Sequence, residues 1–341
     1  MFEEIGKKLA GERVLVCGGA GFVGSQLVRE LLSVGATVCV YDSFFHGRRE
    51  NLADIWDNIQ LIVGDLLDEW KLSQAFKDFK PDWVFNLVGD TYVPSAYDVP
   101  KRFFRTNVEG NINVLMACRM FDVKKVLYVS STEVYGEAVF VPMTEEHPLN
   151  PVNTYAVSKL AADRVCHTFF LEHNVPVIIA RIYNAYGPRE TLPYVIPEII
   201  TQLDKSNVIQ LGNIKARRDF TYVRDTVRGL ISALASDIPN GEVVNVGSNV
   251  TYSVEELVAI AAETMDRPDY RIEIDPKRMR RYDIQEFRCD YTKLNKATGW
   301  APEVDIHDGM RRTVDWFNDH GRKWSWEEWS SGTILFDGSG G

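Results

Sequence analysis

The sequence has little of the features that would place a chain at a membrane or on nucleic acid. No run of apolar residues approaches the ~20 that are needed to cross a bilayer. The formal net charge is -10, whereas a nucleic-acid partner would usually require a basic face. Anionic small molecules stay possible, because a local cluster of arginines can hold them.

Support for a metal site or for disulfides is also missing. The five cysteines and six histidines show no metal-ligand spacing, so we expect no metal. Four of the cysteines lie in apolar stretches, where buried, reduced thiols are the ordinary expectation. The first residues, "MFEEIGKKLAGERVLV", lack the long apolar core of a signal peptide, and a reducing cytoplasm is the expected setting.

The chain does have enough apolar sequence to bury a full core. It contains 341 residues, of which 45% are hydrophobic and 25% are charged. Strand patterns alternate with helical patterns from "RVLVCGG" to "VPVIIARIYN", which is typical of a doubly wound parallel sheet. We predict an α/β fold in which a parallel-sheet Rossmann domain is interleaved with a smaller C-terminal α/β substrate domain. The first domain is expected to comprise 1–180, with 219–250 returning to it, the second 181–218 and 251–330, and a tail without function 331–341.

A glycine-rich turn lies between the first strand and its helix, and its glycines are Gly18, Gly21 and Gly24. Glycines there permit a tight turn and let backbone amides approach a pyrophosphate at the positive end of the helix. Asp42 follows the second strand, where a carboxylate can bind the ribose hydroxyls of adenosine. The same carboxylate would repel a ribose phosphate, which favours NAD over NADP, although Arg48 and Arg49 leave NADP open.

Tyr155 and Lys159 are four residues apart on a predicted helix and therefore share one face. A tyrosine normally loses its proton near pH ~10. An adjacent ammonium group and an oxidised nicotinamide would both lower the pKa of Tyr155 towards neutrality. A phenolate beside NAD can take a hydroxyl proton while hydride leaves the same carbon, and Ser131 can hold that hydroxyl in place.

Six segments together resemble one protein family, and they are "GGAGFVG", "VSSTEVYG", "YAVSK", "RIYNAYGPR", "RRDFTYVRDTV" and "RRYDIQEFRCD". They look like an extended short-chain dehydrogenase/reductase of the nucleotide-sugar epimerase and dehydratase group, over roughly residues 13–317. The resemblance implies tightly held NAD, a nucleoside-diphosphate sugar in the C-terminal domain, and a homodimer through a four-helix bundle. The helices after Asn107 and around Tyr155 would form that bundle.

The resemblance also implies cofactor contacts beyond the glycines and Asp42. Besides Tyr155 and Lys159, these would come from Phe22, Val23, Asp65, Leu66, Leu87, Val88, Gly89, Asn107, Ile182 and Tyr183. Asp65 and Leu66 would meet the adenine, and Ile182 and Tyr183 would flank the nicotinamide. The segment Leu87–Gly89 stands where relatives usually have Leu-Ala-Ala.

Substrate contacts are implied in the C-terminal domain. Asn184 would reach the sugar diphosphate, and the remaining contacts would be Val195 and Gln210 near the nucleobase, Arg218 and Arg280 at the diphosphate, and Asp283 at the nucleotide ribose. Guanidinium groups match phosphate geometry in pairs, so an acidic protein that binds a dianion needs such arginines. For the neighbouring Arg217, Arg278 and Arg281, solvated or salt-bridged side chains are expected instead.

Glu133 favours elimination over simple epimerisation among the reactions of this family. Oxidation of the fourth sugar carbon makes the neighbouring positions acidic, and removing the fifth-carbon proton requires a carboxylate base. Plain epimerases of this type usually have a small or hydroxyl residue at position 133, whereas dehydratases and decarboxylases have Glu. The catalytic group would then be Ser131, Thr132, Glu133, Tyr155 and Lys159.

We therefore favour an NAD-dependent nucleotide-sugar 4,6-dehydratase. A nucleotide-sugar 4-epimerase, a UDP-uronic acid decarboxylase and a catalytically silent NAD-binding module stay open as alternatives, and Glu133 could also be a purely structural carboxylate. Asp90 departs from the family pattern, and the sequence leaves open whether it is a second acid, a selectivity contact or an exposed loop carboxylate.

Overall fold

The largest sheet is parallel throughout and has seven strands. The computed structural model describes residues 2–279, 282–324 and 326. The strands are β1 (Arg13–Cys17), β2 (Thr37–Asp42), β3 (Ile59–Val63), β4 (Trp83–Asn86), β5 (Lys125–Ser131), β6 (Val177–Ile182) and β10 (Val243–Val246). Their order is β10-β6-β5-β4-β1-β2-β3. Strand order therefore reverses between β1 and β4, and such a switch point is where open α/β sheets bind ligands.

Helices cover both faces of this sheet. In chain order the helices are α1 (Phe2–Lys7), α2 (Phe22–Ser33), α3 (Glu69–Phe79), α4 (Pro100–Phe104), α5 (Gly110–Met120), α6 (Thr154–His173), α7 (Val195–Lys205), α8 (Val223–Leu234), α9 (Val254–Thr264), α10 (Thr292–Thr298) and α11 (Ile306–Asp319). One apolar layer includes Leu27 of α2 and Leu230 of α8, and the opposite layer includes Phe76 of α3 and Val114 of α5. The doubly wound α/β fold predicted from the sequence is confirmed.

Two smaller sheets and three helices form a separate apolar core. In one sheet β9 (Arg217–Tyr222) pairs with β7 (Asn184–Tyr186), β11 (Thr251–Ser253) and β13 (Glu286–Phe287), and in the other β8 (Val208–Leu211) pairs with β12 (Arg271–Ile274). The core between them contains Ile199 of α7, Leu257 of α9 and Phe317 of α11. Residues of α8 and β10 return to the large sheet before the chain enters β11, so the two cores are interleaved along the sequence.

The structure adds elements that the sequence patterns did not reveal. The seventh strand β10 and the helix α3 were not singled out as such. The helix predicted from residue 108 onwards begins earlier, at Pro100, and passes through one π-helical segment, Arg105–Glu109, before α5. This segment places Asn107 in the interior, and π-helical turns inside helices are frequent at functional sites.

The cysteines lie in the apolar interior. All five cysteines are free and buried, as expected for reduced thiols. Within the part of the chain that the structure describes, no group of three or more potential metal ligands comes together. Among the same residues, no helix has the length and apolar character of a membrane span.

Candidate active site

The glycine turn forms a tight cradle at the carboxyl end of β1. Gly18 has a φ of +84°, and a Cβ atom on Gly24 would lie 2.0 Å from the Gly18 carbonyl oxygen. The turn therefore requires glycine at both positions. Gly21 caps α2 without a side-chain hydrogen bond, so the amides of the first turn, including those of Phe22 and Val23, face an anion site at the positive helix end.

Asp42 lies beside this cradle and holds the neighbouring loop in place. Its two carboxylate oxygens accept hydrogen bonds from the backbone N–H groups of Ala20 at 2.9 Å and Phe44 at 2.8 Å. Burial raises the pKa of Asp42, while the two backbone hydrogen bonds act to lower it. Each oxygen keeps a second lone pair that can accept from a ribose hydroxyl. The residues present thus fit the adenosine and pyrophosphate portions of NAD.

Tyr155 lies at the start of α6, next to the end of β5. Asn153 caps the helix by accepting a hydrogen bond from the Ala156 N–H at 2.8 Å, and this fixes the first turn that carries Tyr155. Burial raises the pKa of the Tyr155 phenol above its usual value, and a hydrogen bond with Ser131 acts in the opposite direction. Ser131 therefore lies beside the Tyr155 phenol.

Lys159 is buried one helical turn beyond Tyr155. Its Nζ donates a hydrogen bond to the Val129 carbonyl at 2.5 Å and lies 4.6 Å from the centre of the Tyr128 ring. Burial lowers the pKa of Lys159 to about 8. In the protein alone, burial outweighs the effects that favour the Tyr155 phenolate, so the predicted fall in the Tyr155 pKa depends on the positive nicotinamide.

Glu133 lies in the short 3-10 turn that follows β5. Its N–H donates to Ser131 Oγ at 3.2 Å, and its Oε2 accepts from Asn153 Nδ2 at 3.1 Å. The side chain is partly exposed, and its charge acts to raise the pKa of Tyr155. Ser131, Glu133 and Tyr155 are therefore neighbours. Thr132, next to them, is buried, and its interaction with the Tyr183 hydroxyl acts to lower the pKa of that phenol against the larger effect of burial.

Asn153 is a site residue that the sequence analysis missed. It caps the catalytic helix through its side-chain oxygen and binds Glu133 through its amide nitrogen. The signal that could have revealed it is an asparagine immediately before the helical pattern, which is the preferred position for an N-cap.

Asp90 is not an exposed loop carboxylate, so that alternative is wrong. The residue is 2% exposed, and its carboxylate forms an ion pair with Arg102 and a hydrogen bond with His46, whose Nε2 lies 3.3 Å from Oδ1. Burial acts to raise the pKa of Asp90, but the hydrogen bonds and charges of His46 and Arg102 outweigh it and lower the pKa. Asp90 therefore lies in the site as a charged group.

Asn107 joins Asp90 to the catalytic helix. Its Oδ1 accepts from the Asp90 N–H at 2.7 Å, and its Nδ2 donates to the Ser158 hydroxyl at 2.9 Å. A Cβ atom on Gly89 would lie 3.2 Å from Asn107 Oδ1 and 3.6 Å from Lys159 Nζ. Gly89 and Asn107, both predicted near the cofactor, thus lie between β4 and α6.

The other residues predicted to contact the cofactor lie along the same edge of the sheet. Leu87 and Val88 follow β4. Ile182 is the last residue of β6, and Tyr183 follows it. Asp65 accepts a hydrogen bond from the Leu67 N–H at 2.9 Å, and Leu66 is packed in the core beneath it. The structure is compatible with backbone contacts at Leu66, whose side chain is buried.

The residues predicted to contact the substrate differ in their exposure and in their partners. Arg218 Nη2 forms an ion pair with Asp283 Oδ1 at 2.9 Å, so two groups assigned to different parts of the nucleotide meet each other. Asn184 and Gln210 are exposed, on β7 and β8, and Val195 begins α7. Arg280 and Arg281 lie outside the described residues. Arg217 and Arg278 form ion pairs with Glu256 and Glu198, as expected.

Glu190 was also missed by the sequence analysis. It lies between β7 and α7, is 2% exposed, and its Oε2 has no hydrogen-bond partner among the residues that the structure describes. Burial raises the pKa of Glu190 well above the usual value. The charge of Glu190 acts to raise the pKa of Tyr194, whose hydroxyl lies 2.8 Å from Thr91 Oγ1. The polar segment "PRET" gave no sign that this carboxyl would be buried.

The fold and the arrangement of Ser131, Tyr155 and Lys159 define an extended short-chain dehydrogenase/reductase. The chain belongs to the GDP-mannose 4,6 dehydratase family, whose family model matches residues 15–313. It is 29% identical over 320 residues to the UDP-N-acetyl-alpha-D-glucosaminuronate decarboxylase of Bacillus cytotoxicus, which covers 90% of this chain and 98% of that relative.

Solved structures give the same assignment. The epimerase Mth375 of Methanothermobacter thermautotrophicus is 29% identical with a TM-score of 0.88, covering 94% of this chain and 96% of the other. DesIV of Streptomyces venezuelae, a dTDP-glucose 4,6-dehydratase with NAD and TYD bound, is 30% identical with a TM-score of 0.85, covering 92% and 98%. These three relatives are named for three different reactions. The chain is thus a member of a nucleotide-sugar dehydratase, epimerase and decarboxylase family.

Proposed function

We propose that this protein is an NAD-dependent nucleotide-sugar 4,6-dehydratase. The observation that carries the proposal is the position of Glu133: its backbone N–H donates to Ser131, its partly exposed carboxylate accepts from Asn153, and its charge acts to raise the pKa of Tyr155. A base beside the alcohol-oxidising residues is what elimination requires in addition to transient oxidation.

The residues that would hold the cofactor are those of the cradle and the strand ends. The α2 amides and the glycine turn would bind the pyrophosphate, and Asp42 would bind the adenosine ribose, which favours NAD over NADP. DesIV, a structural neighbour, has NAD bound. When bound, NAD would accept hydride from the fourth sugar carbon and supply it again at the sixth carbon.

The chain's own residues would handle the protons. Ser131 would orient the fourth-carbon hydroxyl, and Tyr155, as the phenolate, would take its proton. Glu133 would then take the fifth-carbon proton and pass it to the departing sixth-carbon hydroxyl, which leaves as water, and Tyr155 would return its proton to the fifth carbon as hydride is added at the sixth. Lys159, buried and hydrogen-bonded to Val129, would place a positive charge behind this face of α6. Arg218 would approach the diphosphate of the nucleoside-diphosphate sugar.

A 4-epimerase is the second candidate. The hydrogen bond from Asn153 fixes the position of the Glu133 carboxylate. In an epimerase, the carboxylate would contact a polar substituent of the sugar and would take no proton. The name of the neighbour Mth375 agrees with this alternative, and the name of the Bacillus cytotoxicus relative agrees with a decarboxylase. A catalytically silent NAD-binding module is disfavoured because Tyr155 and Lys159 are both present.

Replacement of Glu133 by Gln separates these functions. We expect Glu133→Gln to keep NAD and nucleotide-sugar binding but to lower release of a 4-keto-6-deoxy sugar about 10²-fold or more, because the amide cannot take the proton. Incubation with a panel of nucleotide sugars, followed by the absorbance of the 4-keto product in alkali, measures this.

Glu137→Gln is the matched control, because Glu137 is an exposed carboxylate four residues away. It should turn over at the wild-type rate. If the wild type yields only the inverted sugar and Glu133→Gln does so at full rate, the elimination assignment is wrong. Loss of carbon dioxide from a uronic acid would favour the decarboxylase.

We also propose a homodimer through α5 and α6. Met120 on α5 and Leu171 on α6 are 66% and 65% exposed, and Met116 and Val157 are exposed on the same two helices, which lie side by side. Exposed apolar side chains grouped on two adjacent helices are typical of an interaction site.

Charges on this surface should therefore dissociate the dimer. We expect the Met120→Lys/Leu171→Lys variant to sediment as a monomer with an unchanged circular dichroism spectrum. The matched control, Val139→Lys/Ile274→Lys, places the same charges at exposed apolar positions elsewhere and should remain dimeric. A wild type that sediments as a monomer at micromolar concentration would contradict the proposal.

A further inference from the structure

Asp90 is held by an unusual number of contacts for a loop residue. Its carboxylate pairs with His46 and Arg102, while its backbone N–H and carbonyl both bond to the side-chain amide of Asn107, at 2.7 and 3.2 Å. Asp90 is thus fixed at its backbone and at its side chain. The reaction proposed above uses none of these contacts.

The three side chains of this cluster come from three different parts of the fold. His46 belongs to the loop after β2, Asp90 follows β4, and Arg102 lies on α4. In the sheet, β1 lies between β2 and β4. The contact between His46 and Asp90 therefore connects the two loops that flank the glycine turn at the end of β1.

The tip of the β2 loop is turned towards Asp90, and its base is anchored. Phe44 has a φ of 60°, a left-handed conformation that is uncommon for a bulky residue. A Cβ atom on Gly47 would lie 2.7 Å from Asp42 Oδ1, so the far end of the loop is close against Asp42. Only Phe45 and His46 extend from this base.

Phe45 covers the ion pairs on the outside. Its ring packs edge-on against His46, with 4.6 Å between the ring centres, and the Arg102 guanidinium lies 5.0 Å from its centre. The loop after β2 is therefore joined to the loop after β4 by the contact of His46 with Asp90, and to α4 by the contact of Phe45 with Arg102. Opening this connection would leave the Asp90 charge without its partners, which is unfavourable in a buried position.

We propose that His46, Asp90 and Arg102 form a latch across the cofactor cleft, which retains a bound dinucleotide by slowing its release. The inference rests on the proposed binding of NAD between Asp42 and Tyr155. A dinucleotide in that position spans the ends of β2, β1 and β4, so it must pass the connection between the β2 and β4 loops when it leaves. His46, Asp90 and Arg102 are positioning residues, since the proposed chemistry needs none of them.

The rate of NAD release tests this inference. The purified protein is loaded with radiolabelled NAD and mixed with an excess of unlabelled NAD, and bound label is followed by rapid gel filtration. We expect His46→Leu and Arg102→Met each to release NAD about 10-fold faster or more, because loss of either partner of Asp90 weakens the connection that a bound dinucleotide must pass. The double variant should release it little faster than the faster single variant, because the three groups act as one unit.

Arg105→Met is the matched control, because Arg105 pairs with Glu109 on the surface of the same helical region, three residues from Arg102. It should release NAD at the wild-type rate. If both latch variants also release NAD at the wild-type rate, the latch is overturned, even where their melting temperatures fall. A wild type that binds no NAD at all would overturn the proposed function and the latch together, so the two failures are distinguishable.

Discussion

Tyr155→Phe should lower turnover of the nucleotide sugar about 10³-fold while the protein still binds NAD. The phenol is buried at the start of α6 and hydrogen-bonded to Ser131, so its hydroxyl is placed to exchange a proton with a substrate alcohol. General acid–base groups typically contribute about 10²–10⁴-fold to a rate. Phenylalanine keeps the ring, which packs edge-on against Phe103 at 6.3 Å, so folding should be preserved.

Measurement of kcat and of bound NAD in the same preparation separates chemistry from binding. Tyr186→Phe is a suitable control, because Tyr186 is also buried but lies in the core of the small sheets, where its hydroxyl donates a long hydrogen bond of 3.5 Å to the Asp305 carbonyl. That variant should retain wild-type turnover. A Tyr155→Phe protein with more than about a tenth of the wild-type kcat would remove Tyr155 from the proton transfer.

The parts of the site that the sequence predicted are those fixed by local pattern. The predicted strands "RVLVCGG", "TVCVYDS" and "VKKVLYVSS" carry the start of the glycine turn, Asp42 and Ser131 at or near their carboxyl ends, beyond which parallel sheets bind ligands. Tyr155 and Lys159 share a helical face by spacing alone. Identifying Glu133 as a base required the family resemblance, because a carboxylate after a strand has no local signature of its role.

The parts that the sequence did not predict depend on contacts between distant residues. Asp90 is buried because His46 and Arg102, which are 44 and 12 residues away along the chain, provide its partners. Glu190 is buried because its loop folds against the rest of the protein, which a polar sequence does not indicate. The spacing of Tyr155 and Lys159 also did not reveal that burial raises the pKa of the Tyr155 phenol in the protein alone, by more than any neighbour lowers it.

A second large effect is expected behind the catalytic face, at the ion pair between Asp163 and Arg181. Asp163 lies on α6, two turns beyond Tyr155, and both side chains are almost completely buried, with Arg181 Nε 2.9 Å from Asp163 Oδ2. Ser130 of β5 donates to the same oxygen at 3.1 Å. The pair therefore ties the helix that carries Tyr155 and Lys159 to the two strands beneath it, which makes it a support of the site as well as of the fold.

Asp163→Ala should lower the free energy of unfolding by about 3–5 kcal/mol, because it leaves the Arg181 guanidinium buried without its carboxylate. Urea unfolding of the purified protein measures this loss. The control Asp237→Ala removes the partner of Lys8, an exposed pair, and should leave the free energy of unfolding unchanged within error.

The double variant Asp163→Leu/Arg181→Met decides the cause of the loss. If the uncompensated charge is responsible, removing both charges should recover much of the stability that Asp163→Ala loses, since apolar residues can replace a buried ion pair at little cost. If the double variant is as unstable as Asp163→Ala, the loss comes from packing, and the pair is not the electrostatic support proposed for α6. Recovery of stability without recovery of turnover would show that the pair also sets the position of Tyr155 relative to Ser131.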